Sequence, residues 1–557
     1  MSRRSSNVGV KLPESVEELC SLVHASKSCR VVGHRHSCSA VGAVAAASPS
    51  SVLISLERLP SVLDIDEHEQ TVTCGPSVTC AELALYLRDA GYSLPTLPMP
   101  AGATLIGSLA TARHGTGETG GTLLSALVSL EFVDADGALV CCTGAPRVAA
   151  IVGGYGADDS TQAILLGCLG VVTEVTLTVG KTYDVRADTY VGMPWTRLVE
   201  SLYLEEVLGA AQTAVITTDN FMAGDFLPKR ASATQPTTLA AAPTIEHARE
   251  QQQAARPPSP ARTSTLSLRK KAIAGRLALR AMSPPRVDTV RSQAPADQPP
   301  AHALPNVCLY HALPPASTRV VIPAAAPTLL GATIEPSTPS DVGPWSDKLH
   351  KVPHVQETPP GRTPAATAAG VASPATSADA EPLRSDYFIS REHGARAIGA
   401  LCDIGAELHA TSLMHVCTIS TAPSDGYWLS PCYRRSSLVF SFGWRGTEAE
   451  VRAHALWLVE AALAPFGPRP GWSTLFGTSP TAIATAFPKI DAFRTIVGRI
   501  DPKGKFHNGF IRRFVIGAAG TPTGAAGEDA GPLPAFGSHS SYGGDPCAPG
   551  RSIAIEL

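Results

Sequence analysis

Charge and aromatic rings are both scarce in this 557-residue chain: Asp, Glu, Lys and Arg make up 17% of it, and Phe, Trp and Tyr 6%. Lys and Arg number 45 against 48 Asp and Glu, a formal net charge of −3, so the basic field that nucleic-acid binding needs is missing. No apolar run reaches the roughly 18 residues of a membrane-spanning helix, and no signal-peptide pattern follows Met1-Ser2-Arg3-Arg4. Cysteine is present but unorganised. The 13 residues form no Cys-x-x-Cys pair and no metal-ligand spacing, which argues against a disulfide framework or a zinc site and for reduced thiols. A soluble, cytoplasmic protein is expected, without nucleic acid or metal, and a monomer.

What the chain has in plenty is glycine and proline, 48 and 47 residues, together with 44% hydrophobic residues. Its length predicts two or three domains. Residues 8–182 read as one α+β unit. A helix starts near Val16, a buried strand Arg30-Val31-Val32 ends at Gly33, and strands follow at 51–56 and 71–74. A helix from Cys80 closes at Gly91, a hairpin turns at Asp136-Gly137, and 170–178 alternates like a half-buried strand. The succession lacks the βαβ rhythm and the Gly-x-Gly-x-x-Gly run of a dinucleotide fold.

A second, cap or substrate domain opens at 183–227, continues at 307–355 and occupies 382–516, with strands at 385–390 and 437–444 and a helix over 448–464. The segments 228–306, 356–381 and 517–557 are rich in Ala, Pro, Gly, Ser and Thr. They bury too little apolar area to offset their ordering entropy, so disorder is expected there. Within the first, 266–280 has the pattern of a basic amphipathic helix, suited to a weak membrane or partner contact. His350 and His354 are spaced like metal ligands, but Pro353 breaks any helix between them, so no metal is expected.

Two runs carry the chemistry. In Val31-Val32-Gly33-His34-Arg35-His36-Ser37 a strand ends in a glycine turn, a junction that aims successive backbone N–H groups into one concavity and suits a pyrophosphate. The second run is Gly107-Ser108-Leu109-Ala110-Thr111-Ala112-Arg113-His114-Gly115-Thr116-Gly117. Its glycines permit close approach of backbone to ligand, and Ser108 and Thr111 offer hydroxyls to phosphate or ribityl oxygens. A lone histidine beside a glycine turn is as a rule structural. Two facing cradles are what a flavin requires, one for its pyrophosphate and one for the electron-accepting edge of its ring.

Together the runs resemble the flavin-binding domain of the vanillyl-alcohol oxidase / p-cresol methylhydroxylase (PCMH-type) family, and within it the alditol (xylitol) oxidases and aldonolactone oxidases such as D-arabinono-1,4-lactone oxidase. The resemblance covers about 8–180 and 341–515. In the second stretch it rests on ordered tags: Gly343-Pro344-Trp345, Arg384-Ser385-Asp386-Tyr387, Trp428-Leu429-Ser430-Pro431, Arg469-Pro470-Gly471-Trp472 and Asp501-Pro502-Lys503-Gly504-Lys505-Phe506. It implies an α+β protein with a PCMH-type FAD domain and an α+β cap. FAD would be held through the 8α carbon by His36 and cradled by residues 31–37. Met99, Thr104, Gly107, Ser108, Thr111, Ala112, Arg113 and His114 would continue the flavin site, and Val172 would flank the adenine. The implied reaction is oxidation of a CH–OH group of a polyol or sugar lactone, with O₂ as acceptor and H₂O₂ released.

The resemblance breaks in the substrate pocket. The family holds its polyol with a glutamate and an arginine two residues apart on a strand, positions that fall on Thr418 and Ser420. A histidine and a threonine fall on Ser441 and Gly443, a lysine on Thr474, and the serine near the flavin ring on Met99. Arg35 stands where the family has a glycine or small residue. Short uncharged side chains predict a roomier, less positive pocket and weak turnover of xylitol and sorbitol. They also leave an alternative open, a flavin-binding protein that has lost the oxidase reaction and serves as a scaffold.

Overall fold

The computed structural model describes residues 10–42, 51–98, 100–118, 121–143, 166–222, 304–313, 328–330, 332–334, 342–349 and 383–517. The chain divides into two units, Met1–Phe226 with Pro299–Leu557, and Leu227–Gln298, and every described residue belongs to the first. Met99, His350, His354, the 266–280 segment, the 356–381 insertion and nearly all of 228–306 and 517–557 lie outside the described residues.

The first layer joins β1 (Val10–Lys11), β2 (Ser28–Val32) and β3 (Ser51–Ser55) in the order β1-β3-β2, all parallel. The absence of βαβ rhythm therefore does not hold locally. The helix Val16–Ala25 is a crossover from β1 to β2, the kind of connection parallel strands need. Ser15 caps that helix by accepting the Glu18 N–H, and Glu17 and Glu18 lie at the positive end of its dipole. Its buried face, Leu19, Cys20 and Val23, packs with Ile54, Val133, Val171 and Phe506.

The second sheet is antiparallel, with β4 (Leu63–Asp66), β5 (Thr71–Cys74), β7 (Leu127–Val133), β8 (Leu139–Thr143) and β9 (Val171–Thr178) in the order β4-β5-β9-β7-β8. β9 is not half-buried at its start. Val171, Val172 and Thr173 are all buried, because an interior strand is here covered on both faces. A two-stranded ribbon pairs β6 (Tyr92–Ser93) with β10 (Gly180–Lys181).

The remaining strands build one ten-stranded sheet. They are β11 (Asp184–Val191), β12 (Thr213–Thr218), β13 (Asn306–Leu313), β14 (Thr328–Leu329), β15 (Ala332–Ile334), β16 (Val342–Pro344), β17 (Leu383–Ser390), β18 (Met414–Ala422), β19 (Ser437–Trp444) and β20 (Arg469–Pro470). Their order is β14-β15-β11-β13-β12-β18-β19-β17-β20, with β16 also on β11. All eight residues of β19 are buried. Phe442 stacks on Trp444 at 5.3 Å, and Phe221 and Tyr387 close around it. Among the described residues no helix is long and apolar enough to cross a membrane. Burial pushes the thiols of Cys29, Cys74, Cys168 and Cys402 up to about 12, so they are packing groups and not nucleophiles.

Candidate cofactor and substrate site

A cavity of about 580 Å³ opens where β2 ends, within the roughly 300–1,000 Å³ typical of ligand sites. Val31, Val32, Gly33, His34, Arg35, His36 and Ser37 line one wall, and Thr104, Gly107, Thr111, Arg113 and Val172 the other. The two glycine runs meet across one side chain. A Cβ on Gly33 would lie 2.9 Å from Thr104 Oγ1, and one on Gly107 2.8 Å from the same atom. Thr104 caps the helix Leu105–Ala110 by accepting the Gly107 N–H at 3.3 Å, and Thr111 Oγ1 donates to the Gly107 carbonyl at 2.9 Å. Arg35 holds φ at +62° and is exposed, a left-handed backbone that explains why a glycine suits that turn.

The His36 ring lies against Gly102, whose Cβ would be 3.2 Å from Nε2, and the His36 carbonyl accepts from Arg113 Nη2 at 3.0 Å. Three residues assigned to the flavin site from the sequence do not line the cavity. Ser108 turns inward and accepts from Cys80 Sγ at 3.6 Å, because its helical position faces the core. Ala112 is buried with φ at +50° and contributes only backbone geometry. His114 is edge-on to Phe388 at 4.6 Å with Nδ1 on the Gly115 carbonyl at 2.6 Å, so it pins its loop to the ten-stranded sheet. Burial holds its imidazole below the usual range.

Arg30 is a residue whose role the sequence hid. Its guanidinium is buried and donates to the carbonyls of Gly167, Phe506, Val41 and Leu166 at 2.8, 3.1, 2.5 and 2.8 Å, tying together four segments that frame the cavity. The only signal was a charge inside an otherwise apolar strand.

The four substituted pocket positions come together. Thr418 on β18 pairs with Ser441 on β19, and Ser420 lies two residues along the same face. The row continues in both directions, since Thr418 pairs with Thr217 on β12 and Ser441 with Asp386 on β17. Directly opposed residues share a face, so Thr217, Thr418, Ser441 and Asp386 form one polar row across four strands. Thr474 joins at its end. Its Oγ1 accepts the Asp386 N–H at 3.1 Å and donates to the Gly471 carbonyl at 3.1 Å. Residue 473 is bonded to the loop after His36, Ser473 O accepting from Cys38 N at 2.9 Å.

The row's own side chains are short and, Asp386 apart, uncharged, and charged groups stand beside it. Arg384 and Asp386 share the row's face on β17, with Arg384 Nη2 3.8 Å from Asp386 Oδ1. Arg113, half-buried beside them on the cavity wall, is lowered to about 10 by desolvation and then by Arg384, with Asp386 opposing. Cys38 feels the same three charges, although burial dominates and raises its thiol. In sequence Arg384 and Asp386 are part of a tag only, because nothing local shows that β17 lies two strands from β18.

Comparison with known proteins bears on both halves of the chain. A family model described as an FAD binding domain matches residues 8–143, and one described as D-arabinono-1,4-lactone oxidase matches 382–514. An alditol oxidase of Streptomyces sp. is 26% identical over 515 residues, covering 91% of this chain and 96% of the relative. An L-gulonolactone oxidase of Mus musculus is 29% identical over 154 residues, 27% of this chain and 32% of the relative. Among solved structures, a chitooligosaccharide oxidase superposes with a TM-score of 0.56 at 12% identity, covering 90% of each chain. The cholesterol oxidase from B. sterolicum also gives 0.56, at 13% identity over 91% of this chain and 94% of that one. At such identities these two matches speak for the fold.

Proposed function

Because the chain belongs to the FAD-dependent oxidases of the vanillyl-alcohol oxidase / PCMH type, we propose that it oxidises a CH–OH group of a polyol or sugar lactone, with O₂ as acceptor and H₂O₂ as product. The observation that carries this reading is the polar row Thr217–Thr418–Ser441–Asp386 beside the cavity wall formed by Arg113 and His36. The FAD binding domain would supply one side and the 382–516 domain the other, with β12 adding Thr217 to the row.

The cavity fits FAD. Gly33 and Gly107 pack on Thr104 where any Cβ would strike it, which brings the two runs together, and as cavity-lining residues without side chains they leave their backbone open to a diphosphate. Residues 31–37 would hold the pyrophosphate, with the Arg35 guanidinium adding a charged donor. Val172 would lie against the adenine, and the His36 ring would anchor the flavin covalently. Bound there, FAD supplies a two-electron acceptor. The chain itself contributes orientation and charge. Thr418, Ser420 and Ser441 offer hydroxyls to a hydroxylated substrate, and the half-buried guanidinium of Arg113 places positive charge at the wall that also holds His36. The alternative of a flavin-binding protein that has lost the reaction rests on the replaced residues at 418, 420, 441 and 474; the charges of Arg113, Arg384 and Asp386 beside them favour the oxidase.

Purified holoprotein, mixed anaerobically with xylitol, sorbitol and L-gulono-1,4-lactone, should lose its oxidised-flavin absorbance with at least one of them and regain it on admission of air. No bleaching by any polyol or lactone would refute the proposed function.

A further inference from the structure

We propose that Arg384 and Asp386 on β17 are the charged substrate-holding pair of this site, Asp386 accepting from one substrate hydroxyl and Arg384 donating to a neighbouring one. The proposal rests on the reading of the chain as a CH–OH oxidase. In sequence, the acid and arginine that grip a polyol in the resembling oxidases are missing, since Thr418 and Ser420 occupy those positions. In the fold, an arginine and an acid again stand two residues apart on one strand. This pair lies on β17, two strands from β18 across β19, in reversed order and on the same face as Thr418 and Ser441.

Three observations make the pair a binding element. Arg384 Nε and Asp386 Oδ1 are buried atoms without a hydrogen-bond partner, as is Thr217 Oγ1 at the far end of the row. Buried polar atoms left unbonded are costly, and a ligand that bonds to them removes that cost. The two side chains also stand apart, 3.8 Å between Arg384 Nη2 and Asp386 Oδ1, where a committed arginine–carboxylate pair closes to about 2.7–2.9 Å. Each therefore keeps capacity for a third party.

The backbone that carries them is fixed from a second segment. Asp386 N–H donates to Thr474 Oγ1 at 3.1 Å, Asp386 O accepts from Gly471 at 2.9 Å, and Arg384 O accepts from Leu475 at 2.6 Å. A Cβ on Gly471 would lie 3.2 Å from Asp386 Cβ and 3.5 Å from Oδ2. Gly471 therefore packs closely on Asp386, with Thr474 Oγ1 3.0 Å from the same position. A guanidinium and a carboxylate held rigidly in a dry site discriminate a hydroxyl-bearing ligand from one lacking it far better than an apolar pocket does.

The test uses full-length holoprotein and the substrate that bleaches the wild-type flavin. Asp386→Asn and Arg384→Gln should load FAD and melt like wild type, yet raise KM for that substrate at least tenfold with a smaller change in kcat. The apparent Kd, read from the perturbation of the oxidised-flavin spectrum by a non-oxidised polyol, should rise in parallel. Arg384→Lys should recover part of the loss seen with Arg384→Gln, which a purely structural role would not produce. If wild type bleaches while both variants keep wild-type KM and Kd, the pair does not hold substrate, and the proposed function stands without it. If the variants lose FAD or melt early, with KM unchanged in the loaded fraction, Arg384 and Asp386 are structural and the proposal is overturned. A wild-type flavin that nothing bleaches sinks the functional reading itself.

Discussion

Replacing Arg30 by Met tests the architecture of the cavity most directly. The side chain keeps its apolar stem and loses a buried guanidinium that donates to the carbonyls of Val41, Leu166, Gly167 and Phe506. Each bond to a charged donor is worth about 1.5–3 kcal/mol, but the guanidinium's own desolvation opposes them, as its lowered pKa shows. Val41 O keeps the Asn508 Nδ2 donor at 2.9 Å and Leu166 O the Cys168 Sγ–H at 3.7 Å, so the net cost is set by the Gly167 and Phe506 carbonyls, about 1–3 kcal/mol each or about 2–6 kcal/mol together. At roughly 2–4 °C per kcal/mol, Tm should fall by about 4–24 °C. All four carbonyl-bearing residues line the cavity, so flavin content should fall as well, and added FAD should restore part of the lost Tm. Scanning fluorimetry and the flavin-to-protein absorbance ratio measure both effects. A variant with wild-type Tm and a full complement of FAD would refute the assignment of Arg30 as the clamp.

Acid-precipitated wild-type protein should stay yellow and yield a His36 peptide carrying the mass of FAD, whereas His36→Ala should release all its flavin into the supernatant; free flavin from wild type would end the covalent assignment. In the His36→Ala background, Arg35→Gly should relieve about 1 kcal/mol of left-handed backbone strain yet bind FAD about tenfold more weakly, as equilibrium titration would show, and an unchanged Kd would remove Arg35 from the phosphate site. Burial pushes the Asp425 carboxyl up to about 6, against its hydrogen bonds from Ser430 and Tyr427. A raised acid is protonated longer in the fold than in the unfolded chain, so its stabilising contribution is complete below about pH 4 and is lost as pH rises toward 6. Asp425→Asn should flatten that part of the urea-denaturation stability profile, which in wild type falls by about 2–3 kcal/mol on account of this group; an unaltered slope would contradict the assignment.

Much of this protein was determined by short stretches of sequence acting locally. Gly33 after Val31-Val32, the helix from Cys80 that closes at Gly91, the hairpin turn at Asp136-Gly137 and the strand at 437–444 act within a turn or two, and the structure keeps them as read. The parallel pairing of β1 and β2 onto β3 was not legible, because the pairing of strands across a crossover leaves no mark in either strand's own pattern. Ser108 shows the same limit, since its chemistry suited the cofactor while its helical phase faces the core. The substrate site is the clearest case. Thr217, Asp386, Thr418 and Ser441 become neighbours only through the register of four strands drawn from distant parts of the chain. A strand specifies which residues share a face, with a period of two, but not which strand lies beside it. Local chemistry therefore determined the cradle and its histidine, and only the assembled sheet decided that an arginine and an aspartate from β17 stand beside Thr418 and Ser441.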